Sequence, residues 1–119
     1  MNELDVPFLQ AKQGVEMAEF RGICATDDVP AGTSKLFAVD GRMIGVFHID
    51  GEFFALANEC PHAGASLAHG CVEDGAVSCR IHHWRFSLKT GQYLDEEKPE
   101  YDVPTYRVRV VGGNVEVEL

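Results

Sequence analysis

Lys35-Leu36-Phe37-Ala38-Val39-Asp40-Gly41-Arg42-Met43-Ile44-Gly45-Val46-Phe47-His48-Ile49-Asp50-Gly51-Glu52-Phe53-Phe54-Ala55-Leu56 is the stretch that decides the fold. Three mainly apolar runs are separated twice by Asp-Gly. Asp-Gly between strand-like runs is the strongest short-range sign of a hairpin, because the tight turn needs positive φ at both central residues. The same punctuation recurs outward at Asp74-Gly75 and Gly112-Gly113. The last pair separates Arg107–Val111 from Val115–Leu119, both of which alternate apolar and charged residues as half-buried strands do. Strands joined by tight turns predict an antiparallel sandwich or small barrel, not a parallel α/β sheet. Residues 1–19 carry little pattern and read as an N-terminal extension, a short helix or arm, ahead of a domain over 20–119.

The chain has 119 residues, enough for one domain with one core and no need of disulfide staples. Hydrophobic residues at 45% and charged residues at 24% mark a folded soluble chain rather than a disordered one. Nineteen acidic against ten basic residues give a net charge of −9, which argues against nucleic acid and anionic membranes as partners. The acidic start Met1–Pro7 is not a secretory signal, and no window approaches the ~18 apolar residues of a membrane span. A cytoplasmic protein with reduced thiols is expected, where clustered Cys and His mean metal or redox chemistry more often than disulfides.

Two segments break the strand rhythm: Asn58–Gly70 and Cys79–Phe86. They hold Cys60-x-His62 and, after sixteen intervening residues, Cys79-x-x-His82. Sulfur and imidazole ligands suit zinc or an iron–sulfur cluster and exclude calcium and magnesium. Zinc modules usually place two thiolates on one knuckle. One Cys and one His from each loop is instead the pairing required by a [2Fe–2S] centre in which two His replace two Cys on one iron.

At these residues the sequence resembles the Rieske family, whose loops read C-x-H-x-G-x-x-L and C-x-x-H-G-W-x-F followed by T-G. This chain has Cys60-Pro61-His62-Ala63-Gly64-Ala65-Ser66-Leu67 and Cys79-Arg80-Ile81-His82-His83-Trp84-Arg85-Phe86, with Thr90-Gly91 behind. Asp28-Val29-Pro30-Ala31-Gly32 and Val103-Pro104-Thr105-Tyr106 extend the likeness over about residues 20 to 119. The resemblance implies an all-β fold, an antiparallel β-sandwich with a small cluster-binding subdomain. It implies one Rieske-type [2Fe–2S] cluster, with Cys60 and Cys79 on the buried iron and His62 and His82 on the outer, exposed iron. His83 stands where the family commonly has Gly, which puts the local loop geometry in question because Gly tolerates positive φ.

High-potential members of the family carry an extra Cys in each loop and Ser and Tyr hydroxyls aimed at the sulfurs. The corresponding places here are Ala65 and Ile81, and Trp84 and Phe86. Fewer hydrogen bonds to the cluster favour its oxidised form, so a low-potential centre is expected. The resemblance implies a soluble one-electron ferredoxin rather than an enzyme. Its partners are a flavoprotein NAD(P)H reductase and a terminal oxygenase, of the kind that dihydroxylates aromatic rings. The alternative within the fold is the small subunit of an assimilatory NAD(P)H nitrite reductase; the alternative of another class is a zinc-stabilised binding module. Oxygen activation by this chain itself would need a second iron site in a further domain, for which the length leaves no room.

The other chemistry-bearing residues have plainer expectations. Cys24 and Cys71 sit in strand-like stretches and read as small buried hydrophobes. His48 is expected to point to solvent, His69 to sit on a surface loop, and Trp84 to pack beside the second loop. Asp95, Glu96, Glu97, Glu100 and Asp102 form an acidic stretch interrupted by Lys98, suited to steering a basic partner. The family's proline-containing segment after the second loop, near the cluster, corresponds to Pro99 and Pro104.

Overall fold

The computed structural model describes residues 19–61, 64–81 and 83–119. The expected N-terminal extension, apart from Glu19, lies outside the described residues, as do His62 and His82. The strands are β1 (Phe20–Ala25), β2 (Thr33–Val39), β3 (Arg42–Ile49), β4 (Glu52–Ala57), β5 (Cys71–Glu73), β6 (Ala76–Ser78), β7 (Arg85–Ser87), β8 (Thr105–Tyr106), β9 (Val108–Val111) and β10 (Asn114–Glu118). They form three antiparallel sheets, ordered β1-β10-β9, β2-β3-β4-β8 and β5-β6-β7. The all-β architecture follows the sequence expectation.

The four tight turns fix the register. Val39 pairs with Arg42, Ile49 with Glu52, Glu73 with Ala76 and Val111 with Asn114. Each pair encloses two residues with positive φ: Asp40-Gly41, Asp50-Gly51, Asp74-Gly75 and Gly112-Gly113. Positive φ at both positions matches the turn to the right-handed twist of the strands it joins.

The sheet β2-β3-β4-β8 is the middle layer. Side chains of a strand alternate between faces, and both faces here are covered. Ile44 and Val46 of β3 and Ala55 of β4 join Val29, Val115 and Val117 in one buried cluster, the sandwich core against β1-β10-β9. Phe47 of β3 and Leu56 of β4 join Cys60, Leu67, Val77, Cys79, Phe86, Leu88, Tyr93 and Val103 in a second, on the side of the small sheet β5-β6-β7. A two-sided burial explains why Ile44–Phe47 reads as a continuous apolar run instead of an alternating one.

Two of the plainer expectations are corrected. His48 does not point to solvent. It lies on the same face as Ile44 and Val46, its Nδ1 is 2.8 Å from the Val29 carbonyl oxygen, and it stacks on its cross-strand partner Phe53 with centroids 4.0 Å apart. Cys71 is exposed rather than buried. It opens β5, the outer strand of the small sheet, and alternation turns its neighbour Val72 inward instead. Cys24 is half-buried against the sandwich core. Burial, then Asp28, pushes its thiol pKa up, against a smaller opposing pull from Lys35.

Candidate cluster site

The first candidate loop joins β4 to β5, and the second is the tip between β6 and β7. Cys60 is 1% exposed and Cys79 is fully buried, and both belong to the same buried cluster with Leu67, Val77 and Phe86 around them. The loops adjoin: Ala65 and Ser66 of the first, Arg80 and Ile81 of the second and the exposed His69 line one crevice of about 320 Å³. The two places where high-potential relatives carry an extra Cys, Ala65 and Ile81, therefore share that crevice.

The loops differ in sequence spacing but close identically. In the first, the Cys60 N–H donates to the Ala65 carbonyl (2.9 Å) and the Gly64 N–H to the Cys60 carbonyl (2.8 Å). In the second, the Cys79 N–H donates to the Trp84 carbonyl (2.8 Å) and the His83 N–H to the Cys79 carbonyl (2.9 Å). Each cysteine is bonded to the fourth and fifth residues after it. The fourth residue is left-handed in both, Gly64 at φ +70° and His83 at φ +60°. His83 thus adopts the conformation that glycine ordinarily supplies, and the closure of the second loop survives the substitution.

The second loop is braced from behind. Trp84 packs on Tyr93 (4.6 Å between centroids) and edge-on to Tyr101 (5.0 Å), and Tyr93 also meets the buried Phe86 at 5.6 Å. This is the packing role expected of Trp84. It also brings the Pro99–Tyr101 turn against the loop, where the family resemblance puts its proline segment. Pro104 serves the other side, its carbonyl accepting from the Ala57 N–H at the end of β4 (2.9 Å). Asp95 accepts from the Arg85 main-chain N–H (2.9 Å) and from its Nε (2.8 Å).

The acidic stretch is therefore partly spent on structure. Asp102 accepts from the Tyr93 N–H at 2.8 Å, and Glu96 pairs with Lys98 at 3.3 Å. That hydrogen bond raises the Lys98 pKa, and burial, then Glu96 and Asp95, raises that of the Tyr93 phenol. Glu97 and Glu100 remain exposed.

Sequence reading passed over Asn58. It is the one polar side chain buried among the described residues, and it spans the base of the first loop to Ser66 and Ala68. The available cue was Gly45 inside a strand, since a glycine there often marks a close approach.

Two adjoining loops on a β-sandwich each open on a cysteine buried in one shared apolar cluster, an arrangement suited to holding a thiolate-ligated group. The Rieske [2Fe-2S] domain model matches residues 19–107, and the chain belongs to that family. It is 33% identical over 101 residues to the biphenyl dioxygenase ferredoxin subunit of Pseudomonas sp. (strain KKS102), covering 84% of this chain and 92% of that one. It is 39% identical over 99 residues to the 3-phenylpropionate/cinnamic acid dioxygenase ferredoxin subunit of Escherichia coli (strain K12), covering 81% and 90%. Among solved structures it is similar to a "putative NADH-dependent nitrite reductase small subunit" from Mycobacterium tuberculosis, with TM-score 0.77 and 29% identity, covering 86% and 96%. The chain is accordingly an electron-transfer component with a Rieske-type [2Fe–2S] cluster, not a catalyst in its own right. The described residues fit that group by their chemistry: Cys60 and Cys79 are thiols buried in one apolar cluster, on loops closed alike. No helix among the described residues is long and apolar enough to cross a membrane.

Proposed function

We propose that this chain shuttles single electrons from a flavoprotein NAD(P)H reductase to a terminal oxygenase in the cytoplasm, with Cys60, His62, Cys79 and His82 as the cluster ligands. The observation that carries the reading is the matched closure of the two cysteine loops, in a chain whose curated relatives along nearly their full length are dioxygenase ferredoxin subunits. When bound, the cluster supplies a one-electron couple. The protein's own part is to hold two thiolates in a dry pocket and to brace the loops from behind with Trp84, Tyr93 and Tyr101. Pro61, Arg80, Ile81 and His83 stay exposed at the loop tips for a partner to meet. The exposed Glu97 and Glu100 beside the second loop supply the field that steers a basic partner, so partner reduction slows as salt rises.

The centre is of the low-potential kind. Trp84 and Phe86 occupy the places of the two hydroxyls and have none to offer, and Phe86 is fully buried among apolar neighbours. Film voltammetry giving a midpoint well above zero would refute this. The first test is composition: purified protein contains two irons and two sulfides per chain and gives a rhombic EPR signal on reduction, whereas a colourless zinc protein overturns the reading. The second reading, a nitrite reductase small subunit, is favoured by the Mycobacterium tuberculosis neighbour. Stopped-flow reoxidation of the reduced protein by an aromatic-ring oxygenase, and not by a sirohaem nitrite reductase, decides for the first.

A further inference from the structure

Asn58 follows directly on β4, two residues ahead of Cys60, and is only 6% exposed. Its main chain is fixed on both sides, the N–H donating to the Met43 carbonyl (2.9 Å) and the carbonyl accepting from Leu67 N–H (2.7 Å). Its side chain reaches across the loop. Nδ2 donates to Ser66 Oγ (2.9 Å), and Oδ1 accepts from the Ala68 main-chain N–H (2.8 Å). The Ala68 N–H can only donate, which fixes the orientation of the amide. The carbonyl of the same residue is held as well, Ser34 Oγ of β2 donating to the Ala68 carbonyl (2.6 Å).

Space for this amide is provided from below. A Cβ on Gly45 of β3 would lie 3.0 Å from Asn58 Oδ1 and 3.5 Å from the Ala68 Cβ. The absence of a side chain at Gly45 and the amide at Asn58 are two halves of one fitting. Between its clamped ends, the loop's described internal closures are the short bonds around Cys60 and the bridge of Glu59 to Ser66. The Asn58 clamp therefore joins the two ends of the segment that carries Cys60, alongside the packing of Cys60 in the core it shares with Cys79.

We propose that Asn58 is the positioning residue of the first ligand loop, acting through Ser66 and Ala68 to hold Cys60 in register with Cys79. This rests on the assignment of Cys60 as a cluster ligand. A buried donor–acceptor pair of this kind orients a ligand-bearing segment without touching the bound group, and losing such outer support weakens retention of the group.

The test compares Asn58→Ala and Ser66→Ala with Val115→Ala, which opens a cavity in the sandwich core remote from the loops. Holoprotein is challenged with excess EDTA at a fixed interval below each variant's own unfolding midpoint, and loss of visible absorbance is timed. Asn58→Ala is expected to lose its cluster roughly 10- to 100-fold faster than wild type, with a shifted EPR signal, and Ser66→Ala to fall between. Val115→Ala is expected to melt earlier while keeping the wild-type rate and signal. If Asn58→Ala bleaches at the Val115→Ala rate with an unchanged signal, the proposal is wrong. Should Asn58→Ala fail to fold, Ser66→Ala decides by the same comparison. Wild-type protein without iron and sulfide would instead sink the ligand assignment itself, a separate failure.

Discussion

Gly91 follows Thr90 in the Thr-Gly pair behind the second loop, and its replacement by alanine gives a prediction with a built-in control. Gly91 has φ +78°, and a Cβ there would lie 2.0 Å from the Val103 carbonyl oxygen and 3.0 Å from Thr105 Cγ2. Gly41 has the same φ of +78°, with nothing within 4 Å of the corresponding Cβ. The left-handed conformation costs a non-glycine residue about 1–2 kcal/mol, offset by about 0.4–1 kcal/mol from a less entropic unfolded chain. Gly41→Ala should therefore cost about 1 kcal/mol. Gly91→Ala adds a main-chain collision that no side-chain rotation relieves, and the Val103 main chain is pinned by its own N–H bond to the Gly91 carbonyl at 2.9 Å. Overpacking of that kind adds about 1–3 kcal/mol or more. At about 4–8 °C per kcal/mol, Gly41→Ala should lower Tm by about 5 °C and Gly91→Ala by about 15–25 °C. Circular dichroism reads the melting. Fluorescence of Trp84, the chain's one tryptophan, reads the site, because Tyr101 of the displaced segment stands 5.0 Å from it. Equal effects at the two glycines would refute the claim that Gly91 is required by the approach of Val103 and not by its turn.

Asp95→Ala should cost about 1–2 kcal/mol in urea denaturation, reduced from the usual charge-assisted value because the carboxylate is about a third exposed; Asp95→Asn should recover part of it by still accepting from the Arg85 N–H. His83→Gly should be neutral to stabilising by up to about 1 kcal/mol, since relief of the left-handed strain exceeds glycine's entropy cost, and a larger loss of stability would mean the imidazole is itself a bracing group. Stability should fall as pH rises past about 10, where the unfolded chain gives up the Tyr93 proton and the folded chain still holds it, so that the unfolded state binds fewer protons. Tyr93→Phe should flatten that alkaline slope. Maleimide at neutral pH should label the exposed Cys71 well before Cys24, whose thiol is half-buried and raised in pKa, as peptide mapping over time would show.

What was legible in the sequence was local. The four hairpins follow from two-residue turns that carry their own φ requirement, so Asp-Gly and Gly-Gly sufficed to place the eight strand ends that meet them. Cys60 and Cys79 could be singled out as candidates because Cys/His spacing is a local property of a loop, and the structure places both cysteines in one buried cluster. Cys71 and His48 were misread because burial depends on which strand lies at an edge and on what covers a face, and neither is written within a few residues. Asn58 escaped for the same reason: its partners lie eight and ten residues on, and the space it needs is made on another strand by Gly45.

The likeness of the two loops shows the limit most clearly. Cys-x-His and Cys-x-x-His look different because the histidines stand two and three residues after their cysteines. What the backbone repeats is the pair of bonds from each cysteine to its fourth and fifth successors, with a left-handed residue at the fourth. Measured from the cysteine, Gly64 and His83 are the same position, and only one of them is a glycine. The constraint is on φ, and glycine is its cheapest solution. A histidine that accepts the strain keeps the closure, and with it the placement of Cys79. This is why the His83 substitution, which from sequence alone put the geometry of the second loop in question, leaves the loop's hydrogen bonds matched to those of the first.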